Sequence, residues 1–153
     1  MRPGLLEMPN QDRPKLIRAL ERPPGTEYNE ETFVYFLAIE RARAERSNRR
    51  LWLLLATLEP VADKPVPIPP ASAARLFEGL RLSLRDTDIM GWYRQDRVVG
   101  AALSARADAP GYETSGLIEQ RVSAGLRKRL PSRVARSLRV RVTQQGPRRL
   151  VKG

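Results

Sequence analysis

Residues 51–58 (LWLLLATL) form an unbroken apolar run of strand length, the pattern of a strand covered on both faces at the centre of a sheet. Upstream, Asn29 is placed to cap a helix whose first turn carries Glu30 and Glu31, where negative charge suits the helix dipole. That helix runs through Phe33, Phe36, Leu37 and Ile39 to about Arg46, with its first half buried. Downstream, Pro69 and Pro70 introduce a second helix with Ala73, Leu76, Phe77, Leu80 and Leu84 along one stripe, stopping near Arg85. Two strands follow at about 89–93 and 98–105, joined by a polar turn with Arg94 to Arg97 at its tip. A third helix is predicted over roughly 115–130, with Ile118, Val122, Leu126 and Leu130 in one row and Pro131 ending it. In the last strand Leu138, Val140 and Val142 alternate with Arg139, Arg141 and Thr143, giving one buried face and one basic, wet face.

The order helix, strand, helix, strand-turn-strand, helix, strand predicts an α+β fold. It is a ferredoxin-like or nucleotidyl-cyclase-like antiparallel sheet with helices packed on one face. One domain over 29–144 is expected. Residues 1–28 read as a proline-rich arm or linker with a short helix around 15–21, and 145–153 as a basic tail. The segment 59–70 holds five prolines and excludes regular structure. Trp92 and Tyr93 fall on opposite faces of their strand, so one faces the helices and the other is partly exposed. Packing is the expected role of this pair, and stacking on a base the alternative.

Charge changes this picture. Of 28 basic residues, eleven lie from Arg121 onward with no acidic residue among them, which leaves the first 120 residues balanced and concentrates the formal +11 in the C-terminal third. Such asymmetry suggests an anionic partner, against the plainer reading of a solvated surface in an arginine-rich chain. Arg139, Arg141, Arg148 and Arg149 are the anion-binding candidates. A basic nucleic-acid-binding protein is the alternative function, although no aromatic residue follows Tyr112 to stack on bases.

The chain has no cysteine and no histidine. This removes disulfides, thiolate or imidazole metal ligands, and any triad with a histidine base. No apolar run reaches the roughly 18 residues of a membrane span, and Leu5, Leu6 and Met8 are too few for a secretory signal, so a cytoplasmic location is the default expectation. The turn carries two arginines, a glutamine and one carboxylate, a poor set for proton transfer or for holding a metal but an adequate one for meeting an anion.

Leu84, Arg85 and Asp88 form a helix-ending Leu-Arg-x-x-Asp, followed by five residues, Ile89 to Tyr93, and then the turn. This arrangement resembles the GGDEF domain of diguanylate cyclases over approximately 32–143. The resemblance places the five signature positions on Arg94, Gln95, Asp96, Arg97 and Val98, a degenerate version. Both glycines that admit a nucleotide are replaced by long side chains, and the signature carboxylate survives only as Asp96 beside Arg97. The family's Asp-x-Asp at the end of the first strand falls on Thr57 and Glu59. The short helix that helps hold guanine is replaced by the proline-rich loop.

Two-metal phosphoryl transfer needs several carboxylates converging on magnesium. The resemblance therefore implies a catalytically inactive regulatory module, with no metal and no cofactor, acting by binding in bacterial signalling. It implies either a cyclic di-GMP receptor through Arg85 and Asp88, the positions of the family's inhibitory Arg-x-x-Asp site, or a domain that meets a protein partner or a second copy of itself. Read from the residues alone, Arg85 is a last-turn cation favoured by the helix dipole, and Asp88 a turn residue ahead of the strand.

Overall fold

A computed structural model describes residues 26–47, 49–59, 66–85, 87–106 and 115–146. The elements are α1 (Glu30–Ser47), β1 (Arg49–Leu58), α2 (Pro70–Ser83), β2 (Ile89–Arg94), β3 (Val98–Arg106), α3 (Ser115–Arg127), α4 (Ser132–Ser137) and β4 (Leu138–Gly146). The short helix expected around 15–21 and the residues of the basic tail beyond Gly146 lie outside the described residues.

The four strands make one sheet in the order β2-β3-β1-β4, with every neighbouring pair antiparallel. The apolar run is the strand β1, paired on both sides and covered on both faces. Trp52, Leu54, Ala56 and Leu58 point into a core shared with Leu76, Phe77 and Leu80 of α2 and Ile118, Val122 and Leu126 of α3. Leu51 and Leu53 point the other way, onto Phe33, Phe36 and Leu37 of α1. Alternation along an extended chain sends successive side chains to opposite faces, so a strand between two helical layers must be apolar throughout.

The α+β architecture is thus as expected, with one addition. The crossover helices α2 and α3 share one face, and α1 covers part of the other. Its Phe33 sits on a glycine pair: Gly91 and Gly100 are cross-strand partners. A Cβ on Gly100 would lie 2.9 Å from the Phe33 ring, and one on Gly91 would lie 2.5 Å from the Tyr28 carbonyl. Both glycines are needed for close approach.

Element ends shift for local reasons. Asn29 does cap α1, its Oδ1 accepting the Thr32 N–H at 2.9 Å. The third helix stops at Arg127 and not at Leu130, and Pro131 precedes a further short helix, α4. β4 continues to Gly146 because Trp52 and Leu51 of β1 pair with Gln144 and Gly146, the register shifting at Gln145, whose Oε1 accepts the Arg41 Nε–H of α1 at 2.9 Å. On the opposite edge, Tyr28 bonds to β2 through its N–H to the Met90 carbonyl (3.1 Å) and its carbonyl from the Trp92 N–H (2.9 Å). Trp92 faces the helices, edge-on to Phe77 at 5.3 Å, and Tyr93 is half-buried on the α1 face.

Candidate functional site

β1 ends beside the β2–β3 turn on one side and the start of β4 on the other. On the face that carries α1, the three together line a cleft of about 320 Å³ formed by Leu55, Thr57, Glu59, Tyr93, Arg94, Val98, Arg139 and Arg141. Strand register explains the grouping. Thr57 pairs with Arg139 and Leu55 with Arg141, and residues paired across a sheet share a face.

The carboxylate of Glu59 accepts the Thr57 hydroxyl at 2.8 Å. Around it stand three guanidinium groups. Arg139 donates to the Leu138 carbonyl (3.0 Å) and the Arg136 carbonyl (3.2 Å). Arg94 donates to the Tyr93 carbonyl at 3.0 Å, with its guanidinium 4.6 Å from the Tyr93 ring centroid. The Arg141 side chain makes no hydrogen bond or ion pair among the described residues. None of the three is paired to a carboxylate there, so the cleft carries more positive than negative charge.

At the turn, Gln95 and Glu30 clasp each other. The Gln95 N–H donates to Glu30 Oε1 at 2.6 Å, and the Glu30 N–H donates to Gln95 Oε1 at 3.0 Å. Asp96 adopts a left-handed conformation with φ of 63°, and the Arg97 N–H closes the turn on the Arg94 carbonyl at 3.0 Å. Its side chain accepts from Gln95 Nε2 at 3.3 Å, and its carbonyl accepts the Ile68 N–H of the proline-rich loop at 2.8 Å. Asp96 and Arg97 are exposed at the turn and do not line the cleft, whereas Val98 is buried against it. Among the described residues no three of His, Cys, Asp or Glu gather in a group that could hold a metal ion.

Arg85 and Asp88 lie elsewhere, between the end of α2 and the start of β2. The Asp88 N–H donates to the Arg85 carbonyl at 2.9 Å, and the Arg85 N–H returns a bond to Asp88 Oδ2 at 3.0 Å. The Arg85 guanidinium donates to the Ser104 carbonyl of β3 and lies 3.7 Å from Asp88 Oδ1. The Asp88 side chain is 2% exposed, that of Arg85 61%. Burial pushes the Asp88 carboxyl above the usual aspartate value, against the opposing pull of the Arg85 amide and charge and the Ser104 amide. A second cleft, also about 320 Å³, opens nearby between Glu40, Arg43, Ala44, Arg49, Thr87 and Ser104.

The fold therefore gathers Arg94, Val98, Arg139 and Arg141 with Thr57 and Glu59, and keeps Arg85 and Asp88 apart from them. Arg148 and Arg149 lie outside the described residues. Sequence reasoning placed Arg139 and Arg141 on a wet sheet face without seating them beside the turn. The signal was available in the strand order of a ferredoxin-like sheet, which sets the last strand against the first. The Glu30–Gln95 clasp had no comparable signal, because it joins residues 65 positions apart on the surface.

No protein-family model matches the sequence, and no curated protein matches it. Solved structures do. The chain is similar to a DGC (diguanylate cyclase) protein from Thermotoga maritima, at 16% identity and a TM-score of 0.57 over 80% of this chain and 83% of that one. It is also similar to the isolated GGDEF domain of Pseudomonas aeruginosa TpbB, or YfiN, at 12% identity and a TM-score of 0.48 over 80% and 74% of the two chains. The likeness is one of fold: the sheet and its helices are those of diguanylate cyclase domains.

Proposed function

We propose that this GGDEF-fold chain is a regulatory module that acts by binding in bacterial signalling, without making cyclic di-GMP. The observation that supports this is the charge of the cleft at the end of β1. Where magnesium-assisted transfer of a phosphoryl group needs converging carboxylates, Glu59 stands among Arg94, Arg139 and Arg141 with its oxygen engaged by Thr57. The turn gives the same indication, since Gln95, at the second glycine position of the family signature, is held by Glu30. Long side chains stand at both glycine positions, where glycines would leave the backbone open to a nucleotide.

Of the two binding roles such a module can have, a protein partner or second copy is better supported than cyclic di-GMP at Arg85 and Asp88. The Asp88 carboxylate is buried, with Oδ2 taken by the Arg85 N–H and Oδ1 facing inward, so neither oxygen is presented at the surface to a guanine edge. Arg85 would first have to leave the Ser104 carbonyl. The alternative of nucleic-acid binding rests on the exposed arginines of α4 and β4 and lacks stacking aromatics among them. Among the described residues no helix is long and apolar enough to cross a membrane. Incubation of the full chain with GTP and magnesium tests the central part: no cyclic product is expected, and accumulation of product in proportion to protein would overturn it.

A further inference from the structure

The unpaired positive charge of the cleft beside the turn calls for a ligand. Arg139 and Arg141 are two residues apart on one face of β4, hence about 7 Å apart along the strand, and Arg94 reaches the same cleft from the hairpin across β1 and β3. Arg94 and Arg139 spend hydrogen bonds on carbonyls, which leave their charge intact, and Arg141 spends none among the described residues. Three guanidinium groups against Glu59 leave a formal excess of two positive charges around this space. At about 320 Å³ it falls at the small end of the roughly 300–1,000 Å³ typical of ligand pockets. Between the arginines the walls include Leu55, Val98 and the Tyr93 ring.

We propose that this cleft binds a phosphate dianion, with Arg141 and Arg139 on one side and Arg94 on the other. A guanidinium presents its N–H donors in a fork that matches two phosphate oxygens, and charge-assisted bonds of this kind are stronger than neutral ones. Two of the three arginines lie on β4, and Arg94 alone comes from the signature turn, whose Gln95 is engaged with Glu30. The ligand is either free phosphate or a small phosphomonoester whose organic part lies over Leu55 and Val98. The proposal rests on reading the chain as a binding module and gives that module a small-molecule ligand.

Calorimetric titration of inorganic phosphate and of phenyl phosphate into the full chain tests it. The comparison set is wild type, Arg141→Ala, Arg139→Ala and, as a basic control outside the cleft, Arg133→Ala, with folding checked by circular dichroism. One-to-one binding is expected, weakened at least about tenfold by Arg141→Ala or Arg139→Ala and left within roughly twofold by Arg133→Ala. Tighter binding of phenyl phosphate assigns a phosphomonoester, and equal affinity assigns free phosphate. No binding of either probe to wild type, or equal losses in Arg133→Ala and Arg141→Ala, would overturn the site. That failure would leave the absence of GTP turnover standing, whereas product from GTP would overturn the module's inactivity and leave phosphate binding here unaffected.

Discussion

Glu30 and Gln95 exchange two hydrogen bonds, side chain to backbone in each direction, at 2.6 and 3.0 Å. The pair fastens the N-terminus of α1 to the β2–β3 turn. It also satisfies the Glu30 N–H, one of the amides that a helix leaves without an internal partner in its first turn. Gln95→Ala is expected to lower the unfolding free energy by about 0.5–1.5 kcal/mol, as loss of a helix cap does. Glu30→Ala should cost a similar amount, and the double variant less than the two together, because each bond holds the geometry of the other. Denaturant midpoints measure this, and strictly additive losses would show that the two bonds act independently.

The seat of Phe33 gives a second expectation. Gly100→Ala places a methyl group 2.9 Å from a fully buried ring, an overpacking that costs about 1–3 kcal/mol. Phe33→Leu removes the atoms in the way. Gly100→Ala should therefore be less damaging in a Phe33→Leu background than in wild type, by thermal or denaturant unfolding. The same penalty in both backgrounds would place the strain in the strand itself.

Asp88 predicts a pH dependence. Its carboxyl is raised above the ordinary 3.8 by burial, so between 3.8 and the raised value the folded chain holds more protons than the unfolded chain. The contribution of Asp88 to stability is then fully present below 3.8, falls as pH rises through that window and is level above it. Asp88→Asn removes the titration. The stability of wild type minus that of Asp88→Asn should decline with rising pH across the window. A difference that instead grows with pH would mean that the Arg85 charge outweighs burial.

Much of this fold was readable from periodicity, and the reasons for the gaps are physical. The run 51–58 has the length and pattern of a strand covered on both faces, and the alternation from Leu138 to Thr143 gave its own burial pattern. Those elements were legible because burial writes a period into the sequence. Two covered faces on β1 already implied a helix on each side of the sheet, yet the reading set all helices on one, since the opposite cover comes from α1, which precedes the first strand and lies outside the crossover units. α4 was missed because six residues leave too short a period, and none of them is buried. Of the site, the shortage of carboxylates around Thr57 and the turn was plain from residue identity. The inward set of Asp88 was not, because a turn carboxylate can face either solvent or its own chain, and only the packing of α2 against β3 decides which.

Arg85 carries a related prediction. Its guanidinium bonds the Ser104 carbonyl and lies beside Asp88, so it acts as a tie between the end of α2 and β3. Calorimetric titration of cyclic di-GMP into wild type should show no micromolar binding, and Arg85→Ala should lower stability instead. Micromolar binding that disappears in Arg85→Ala would establish the receptor role in place of the one favoured above.

The most direct measurement is chromatographic analysis of nucleotides after prolonged incubation of the full chain, at high protein concentration, with GTP and magnesium. With Glu59 set among Arg94, Arg139 and Arg141, GTP should remain unconverted. Appearance of cyclic di-GMP at a rate proportional to protein would contradict the account.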